Sequence, residues 1–217
     1  TINSIETKGE IKQGQLASTS VISSQDVGDA TLTLNTRPFE SRIPLDGKLE
    51  MQGLNVAPFK PLSPAIRTLT GKLNGNVSLS GYIDDPTLNG ELTVSNGAID
   101  IQDTPVTLAD WNQKVSLNGQ TAALDGTFLL GGGKGALKGE LDWSSNPSAT
   151  FNLKGNGFEI RQPNIRLKVS PNIDIAATKE KVDVSGEVNI PWARIEIESL
   201  PESAVSPSKD VHLRGEP

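Results

Sequence analysis

The chain has 217 residues, a formal net charge of −6, one histidine and no cysteine, which is enough length for one large or two small domains. With 20 basic against 26 acidic residues, it lacks the basic excess by which proteins bind nucleic acid. No Ser–His–Asp, Cys–His or histidine metal set can be assembled, because the one histidine is His212 in a Pro/Ser-rich tail. We therefore expect a protein that is not an enzyme and has no cofactor or metal.

From its two ends, we expect the chain to be a piece of a longer protein. The chain begins at Thr1 without a methionine and ends in VHLRGEP. No apolar run approaches the roughly 18 residues of a membrane span. No basic segment followed by an apolar one indicates a signal peptide. We expect any membrane anchor or export signal to lie outside this piece.

In residues 1–40, apolar and polar residues alternate irregularly, as in TKGEIKQGQLASTSV and ATLTLN. This pattern predicts strands. We expect this first unit to continue from a preceding repeat. The main section is predicted over 41–197, and a Pro/Ser-rich connection over 198–217.

The next stretch predicts the single helix. Ser63 can act as its N-cap, Pro64 as its first residue and Gly71 as its left-handed stop. Apolar residues recur around it at helical spacing: Val56, Phe59, Leu62, Ile66 and Leu69. A helix of about two turns is too short to cover a large sheet.

From Gly71 onwards, period-two alternation dominates. In GKLNGNVSLSG, apolar residues and glycines fall on one face and polar residues on the other. Asn-Gly and Asp-Gly pairs predict hairpin turns at Asn89-Gly90, Asn96-Gly97, Asn118-Gly119, Asp125-Gly126 and Asn156-Gly157. Their spacing is irregular, which favours a meander of unequal antiparallel strands over a β-helix with fixed rungs.

Three further motifs have structural explanations. Asp84-Asp85-Pro86 could supply paired carboxylates, as could Asp100 with Asp103, but the first is more simply a turn. GGGKGA (131–136) lacks the hydroxyl residue and following helix of a phosphate loop, so we predict a hairpin tip. We predict that the three tryptophans occupy packing positions in the sheet.

A long sheet with one apolar face and no covering helices leaves two solutions. It closes as a sandwich or barrel, or it curves around other apolar material. Composition does not choose between them. Aromatic residues make up only 4%, so the apolar material is aliphatic.

Two segments resemble a known family. Gly71–Ile101 resembles the repeated signature of AsmA-like proteins, with a P-x-L-x-G turn at Pro86–Gly90 and a closing G-x-I-x-I at Gly97–Ile101. Val188–Val211 resembles the TamB branch of that family, where IP-x-A-R-I leads into LPESAV. The resemblance covers roughly Leu45 to Val211.

The resemblance implies an all-β fold: an elongated, curved antiparallel sheet (a β-taco) with a concave aliphatic interior and one short helix. It also implies a periplasmic section of a protein anchored in the bacterial inner membrane, with the outer-membrane barrel TamA as partner. The implied function is a lipid conduit that shields phospholipid acyl chains between the two membranes and supports outer-membrane biogenesis.

On this hypothesis the concave face holds acyl chains in a groove. Its predicted lining consists of aliphatic and aromatic residues at alternate strand positions: Leu73, Val77, Leu79, Leu92, Val94, Ile99, Ile101, Val115, Leu117, Leu137, Leu141, Phe151 and Leu153.

Two other hypotheses remain open. A chaperone-like section would assist outer-membrane or autotransporter protein assembly by pairing client strands with its exposed edges, in 1–40 or 182–197. An adhesive or carbohydrate-binding protein would need exposed aromatic residues on the polar face, and the sequence has few.

Overall fold

One antiparallel sheet of thirteen strands makes up the described part of the chain, which covers residues 4–24, 27–102, 104 and 107–196 of a computed structural model. The strands are β1 (Ser4–Lys12), β2 (Gln15–Ser24), β3 (Gly28–Thr36), β4 (Leu45–Asn55), β5 (Ile66–Tyr82), β6 (Asp85–Ile101), β7 (Thr107–Gly119), β8 (Thr121–Leu130), β9 (Gly133–Asp142), β10 (Ser148–Asn156), β11 (Phe158–Gln162), β12 (Ile165–Thr178) and β13 (Val182–Ile195). A 3₁₀-helix, Ala57–Leu62, lies between β4 and β5.

The sheet is a simple meander, because β10 and β11 lie end to end along one side of β12. Lys154 of β10 pairs with Asn172, and Phe158 of β11 pairs with Val169. β13 pairs along the other side of β12. The described strands therefore run in chain order from a free edge at β1 to a free edge at β13. The predicted meander is confirmed, and the sheet does not close as a sandwich or barrel.

The register separates the two faces of the sheet. One row of directly opposed residues is apolar or glycine throughout: Leu32, Leu49, Val77, Gly90, Leu117, Ala122, Leu141, Ala149, Ala177 and Val182. The adjacent row is polar throughout: Thr33, Lys48, Ser78, Asn89, Asn118, Thr121, Asp142, Ser148 and Thr178. Because side chains alternate between faces, these rows define an apolar face and a polar face.

A line of irregularities, which we call the crease, crosses the sheet from β4 to β13. The ladders shift register between Met51 and Leu54, Thr70 and Lys72, Val94 and Gly97, Ala109 and Asn112, and opposite Lys168 and Ser170. An extra residue in one strand bends that strand. Because the shifts are aligned on neighbouring strands, the sheet bends along this line where they occur, while the β8–β9 and β9–β10 ladders keep a regular register.

Between β8 and β12 the crease holds an aromatic pair. The rings of Phe128 and Phe158 lie 5.9 Å apart between centroids, tilted by 36°, and both are buried. Gly135 lies opposite Phe128, and a Cβ at Gly135 would collide with that ring, as one at Gly155 would with Phe158. Phe128 belongs to the apolar face, so its burial indicates that the apolar face is the inside of the bend.

The predicted helix is wrong in position and type. The observed 3₁₀-helix ends at Leu62, and Ser63, predicted as the N-cap, follows it in extended conformation. Ile66 and Leu69 belong to β5, where they oppose Ile101 and Ile99. Pairing with β6 overrides the helical spacing of these residues.

Several predicted turns lie inside strands instead. Asn89-Gly90 and the whole Pro86–Gly90 segment belong to β6, and Asp125-Gly126 belongs to β8. Asn96-Gly97 forms part of the crease, with Asn96 at a positive φ of 51°. The glycine-rich tip after β8 is confirmed as a hairpin turn at Gly131 and Gly132, which both have positive φ.

The aromatic pair is predicted to stabilise the bend. Phe158→Ala should lower the free energy of unfolding by about 3–5 kcal/mol, because a ring that is 3% exposed is lost from a packed site. Equilibrium urea unfolding measures this change. The matched control is Phe39→Ala, whose ring is 78% exposed and whose loss should change stability by about 0.5 kcal/mol or less. Equal effects of the two substitutions would contradict the assignment.

Candidate apolar groove

The structure gathers most of the predicted lining residues onto the apolar face. The register places there Leu73, Val77, Leu79, Leu92, Val94, Val115, Leu117, Leu137, Leu141, Phe151 and Leu153. The remaining two lie beyond the crease: Ile99 opposes Leu69 and Leu108, and Ile101 opposes Ile66 and is exposed. That these residues contact lipid stays a prediction.

Sequence reasoning missed other members of the same rows. Leu124 lies between Val115 and Gly139, and Ile175 opposes Phe151. Alternation alone could have found both, since each lies two residues from another apolar-face residue. Phe158 had no such signal, because its place depends on the interruption between β10 and β11.

Glycines on the apolar face lie opposite large side chains. A Cβ at Gly75 would lie 2.5 Å from Cδ2 of Leu92, and one at Gly139 would lie 2.7 Å from Cδ1 of Phe151. Each large side chain therefore lies across the glycine of the neighbouring strand. This arrangement fills the surface of a single layer and leaves the space above it free, as a groove requires.

The polar face carries cross-strand ion pairs. Lys114 Nζ lies 2.5 Å from Glu91 Oε2, and Lys138 Nζ lies 3.6 Å from Asp125 Oδ2. All four side chains are exposed, so each pair contributes about 0–1 kcal/mol. A wide crevice of about 770 Å³ lies on this polar face rather than in the groove, between β7 and β13. Its charged lining makes it unsuitable for an acyl chain.

Contacts around the turn between β5 and β6 stabilise one edge of the bent sheet. Arg42 Nε donates to Asp84 Oδ1 at 3.2 Å, and this hydrogen bond holds the pKa of Arg42 above its ordinary value. The guanidinium also lies 4.0 Å from the centre of the Tyr82 ring. Trp143 Nε1 donates to the Pro86 carbonyl at 2.9 Å. The turn itself consists of Ile83 and Asp84, while Asp85 and Pro86 begin β6 and pair with Tyr82 and Gly81, so the turn predicted at Asp84-Asp85-Pro86 is confirmed only at Asp84.

Those other chemistry-bearing candidates that lie in the described ranges form no site. Among the described residues, no group of three or more His, Cys, Asp and Glu side chains could hold a metal. The Asp100 carboxylate forms an ion pair with the Arg67 guanidinium at 3.2 Å. Asp103 and His212 lie outside the described residues. Of the helices in the described ranges, none is both long and apolar enough to cross a membrane.

Gln113 interrupts the apolar face on β7. It opposes Val94 and Gly126 and is 6% exposed. Its Nε2 donates to the Lys114 carbonyl at 3.2 Å, and its Oε1 is buried without a hydrogen-bond partner. An unpaired buried carbonyl carries an uncompensated desolvation cost.

Removing this amide is predicted to stabilise the fold. Gln113→Met keeps the volume and should raise the free energy of unfolding by about 1 kcal/mol, because the unpaired Oε1 disappears. Urea unfolding checks the sign of the change. The control is Gln15→Met at an exposed position of β2, which should have no comparable effect. A destabilised Gln113→Met variant would show that the amide has a partner.

A single bent sheet with one apolar face places the chain among β-taco proteins, whose apolar groove is open along its length. The chain belongs to the TamB family. The family model "TamB, N-terminal domain" matches residues 1–94, and the model "TamB C-terminal domain" matches residues 124–217.

A curated relative supports this family assignment. The chain is 30% identical over 169 residues to the "Translocation and assembly module subunit TamB" of Haemophilus influenzae, a match that covers 76% of this chain. The chain spans 13% of the length of that relative. No solved structure matches the chain significantly.

Proposed function

We propose that this chain is a section of a periplasmic lipid conduit. Phospholipid acyl chains lie in the groove formed by the apolar face, and the head groups remain in water. The section belongs to a protein anchored in the inner membrane that works with TamA in outer-membrane biogenesis. Transport of phospholipid between the two membranes is the activity proposed for the whole protein.

The continuity of the apolar face supports this proposal most directly. From β3 to β13 the rows carry apolar residues and glycine, with Thr36, Gln113 and Gln162 as the polar exceptions. From β3 to β13 the strands occupy ten positions, because β10 and β11 share one. At about 4.8 Å between strands, the groove extends for about 43 Å.

The depth of the groove suits an acyl chain. From Ile66 to the crease at Gly71, β5 extends about 16 Å at roughly 3.3 Å per residue. The hydrocarbon of one bilayer leaflet is about 15 Å thick, half of the bilayer core. The shorter wall of the bend can therefore cover a chain that lies perpendicular to the groove axis.

Shielding removes the main barrier to moving a lipid through water. Each exposed methylene costs about 0.8 kcal/mol, so a phospholipid with two chains does not cross the periplasm unprotected at a useful rate. An aliphatic groove replaces water along the whole chain without recognising the head group. The function therefore requires neither a catalytic set nor a metal.

A charge in the groove is predicted to expel the lipid. The chain, purified from a bacterial periplasm without detergent, should carry phospholipid in native mass spectrometry and in lipid extracts. Leu117→Arg and Leu92→Glu should reduce bound phospholipid at least about tenfold, because a desolvated charge on the apolar face opposes acyl binding.

Substitutions on the polar face provide the controls. Ser116→Arg and Thr93→Glu adjoin the tested residues but project from the opposite face, and they should retain the lipid. Far-UV circular dichroism establishes that all four variants are folded. A lipid-free wild-type chain, or equal losses in test and control variants, would overturn the proposal.

A second candidate function uses an edge of the sheet instead of the face. β13 is exposed along its whole length, with Val184 66% and Ile195 67% exposed, and no described strand pairs with its outer side. An unprotected edge is a template for adding a strand. A chaperone-like section would bind outer-membrane or autotransporter client strands there.

This candidate predicts a different response to proline. Val184→Pro should reduce binding of a synthetic client β-strand about tenfold or more, measured by fluorescence anisotropy, and should leave the lipid content unchanged. Ser185→Pro provides the comparison. It removes an N–H that hydrogen-bonds to β12 rather than one at the free edge, so it should disrupt the pairing of β12 with β13. If Val184→Pro abolishes both client binding and lipid binding, the edge and the face do not have separate functions.

A further inference from the structure

Three arginines oppose one another across neighbouring strands. The register pairs Arg161 of β11 with Arg166 of β12, and Arg166 with Arg194 of β13. We call these three residues the arginine row. Like charges that lie directly opposite each other destabilise a strand pair. The stability of the sheet therefore does not explain the arginine row, which points to a function that uses its charge.

The first pair of the arginine row lies beside a tight turn. Two turn residues separate Gln162 from Ile165, so these two form a hydrogen-bonded pair. Bonded and non-bonded pairs alternate along a ladder, and opposed side chains come closest at the non-bonded ones. Arg161 and Arg166 form the next pair. Their side chains therefore lie close together, on the polar face.

Each outer arginine of the row has an acidic neighbour on its own strand. Arg161 Nε donates to Glu159 Oε1 at 2.9 Å, and this hydrogen bond holds the pKa of Glu159 below its ordinary value. Arg194 Nε lies 3.0 Å from Glu196 Oε1. Two of the three guanidinium charges are thus balanced within the chain, and we assign no ligand to them.

Two cations of β12 lack such a partner. In the part of the chain that the structure describes, Arg166 and Lys168 are exposed and form no ion pair. They lie two residues apart on the polar face. Because β12 is paired on both sides and its side chains project out of the sheet, their exposure does not depend on a free edge. They form a local positive excess in a chain of net charge −6.

Arg166 lies at the mouth of the groove, where the shorter wall of the bend ends. Its neighbour Ile165 is the first residue of β12, belongs to the apolar face and is 37% exposed. From Ile165 to the crease between Lys168 and Ser170, β12 extends about 13 Å. The hydrocarbon of one bilayer leaflet is about 15 Å thick. A lipid whose acyl chains reach the crease therefore has its phosphate at the level of Arg166.

The chemistry of Arg166 suits a phosphate. The planar guanidinium presents a fork of N–H donors that matches two phosphate oxygens, and it is more weakly hydrated than an ammonium group. Its long side chain can pack along the sheet and place the charge at the boundary with water. The adjacent Ile165 is apolar. An apolar residue and a cation side by side match the boundary between acyl chains and phosphate.

We propose that Arg166, with Lys168 beside it, binds the phosphate group of a phospholipid whose acyl chains lie in the groove. This contact rests on the lipid conduit proposed above and gives the groove a fixed polar anchor at its mouth. The two outer arginines occupy the nearby carboxylates, which leaves Arg166 available. Because phosphate is common to phospholipids, the contact does not select among the groups attached to it.

Two lipids with identical acyl chains test the contact. The chain is incubated with vesicles of phosphatidylglycerol that contain a minor share of diacylglycerol, and the bound lipids are quantified by mass spectrometry. The wild-type chain should be enriched in phosphatidylglycerol relative to the vesicles, because diacylglycerol has no phosphate. Arg166→Gln with Lys168→Gln should lower this enrichment about tenfold and should not lower the amount of bound diacylglycerol.

The matched control is Lys72→Gln with Lys154→Gln, which removes the same charge from exposed lysines of the polar face. Lys72 lies six residues from Ile66 at the start of β5, and Lys154 opposes Asn172, six residues from Arg166. Both are therefore about 20 Å from the mouth, and the enrichment should persist. Circular dichroism verifies folding. Equal losses in the two double variants would indicate general attraction to an anionic vesicle and would overturn the contact.

Inorganic phosphate distinguishes a lipid phosphate from a soluble one. Added at millimolar concentration and constant ionic strength, it should leave the enrichment unchanged, because it lacks the acyl chains that hold the lipid in the groove. Displacement of phosphatidylglycerol but not of diacylglycerol would assign Arg166 to a soluble phosphate and overturn the lipid contact.

Loss of the groove and loss of the phosphate contact give different results. A wild-type chain that takes up neither lipid would overturn the lipid conduit and this contact with it. A wild-type chain that takes up both lipids in the proportion of the vesicles would retain the groove and overturn only the phosphate contact. Enrichment that survives Arg166→Gln with Lys168→Gln would have the same meaning.

Discussion

The sheet has an interior because it bends at the crease. A flat sheet of this size with one apolar face would leave that face in water, and no helix in the described part of the chain covers it. Aligned irregularities at positions such as Gly71 and Gly97 bend neighbouring strands along one line, so that the apolar face turns inward. The rings of Phe128 and Phe158 fill the bend and fix it.

A single bent layer buries less than a packed domain does. The glycines let large side chains lie flat, as Leu92 does over Gly75, but a second layer of protein is absent from the described residues. Much of the apolar face is therefore only partly buried, and apolar material that covers it would add to its stability. On the opposite face, charged pairs such as Lys114–Glu91 are exposed to water.

Face and edge are physically separate surfaces and can support different functions. The apolar face offers a continuous surface without hydrogen-bonding groups, which suits hydrocarbon chains. The β13 edge offers backbone hydrogen-bonding groups in a fixed sequence of directions, which suits another strand. Membership of the TamB family is compatible with a role for either surface.

The class of the fold and the identity of the two faces could be predicted from the sequence alone. Alternation such as Leu73, Val77 and Leu79 against polar neighbours is a local property of period two, so it could be recognised without a structure. The tertiary structure decided what depends on neighbouring strands: the place of the crease, the burial of Gln113 and the strand conformation of Ile66. These follow from register, because a glycine or an Asn-Gly pair forms a turn, a bulge or a flat strand according to the residues that lie opposite it, and sequence alone does not supply those partners.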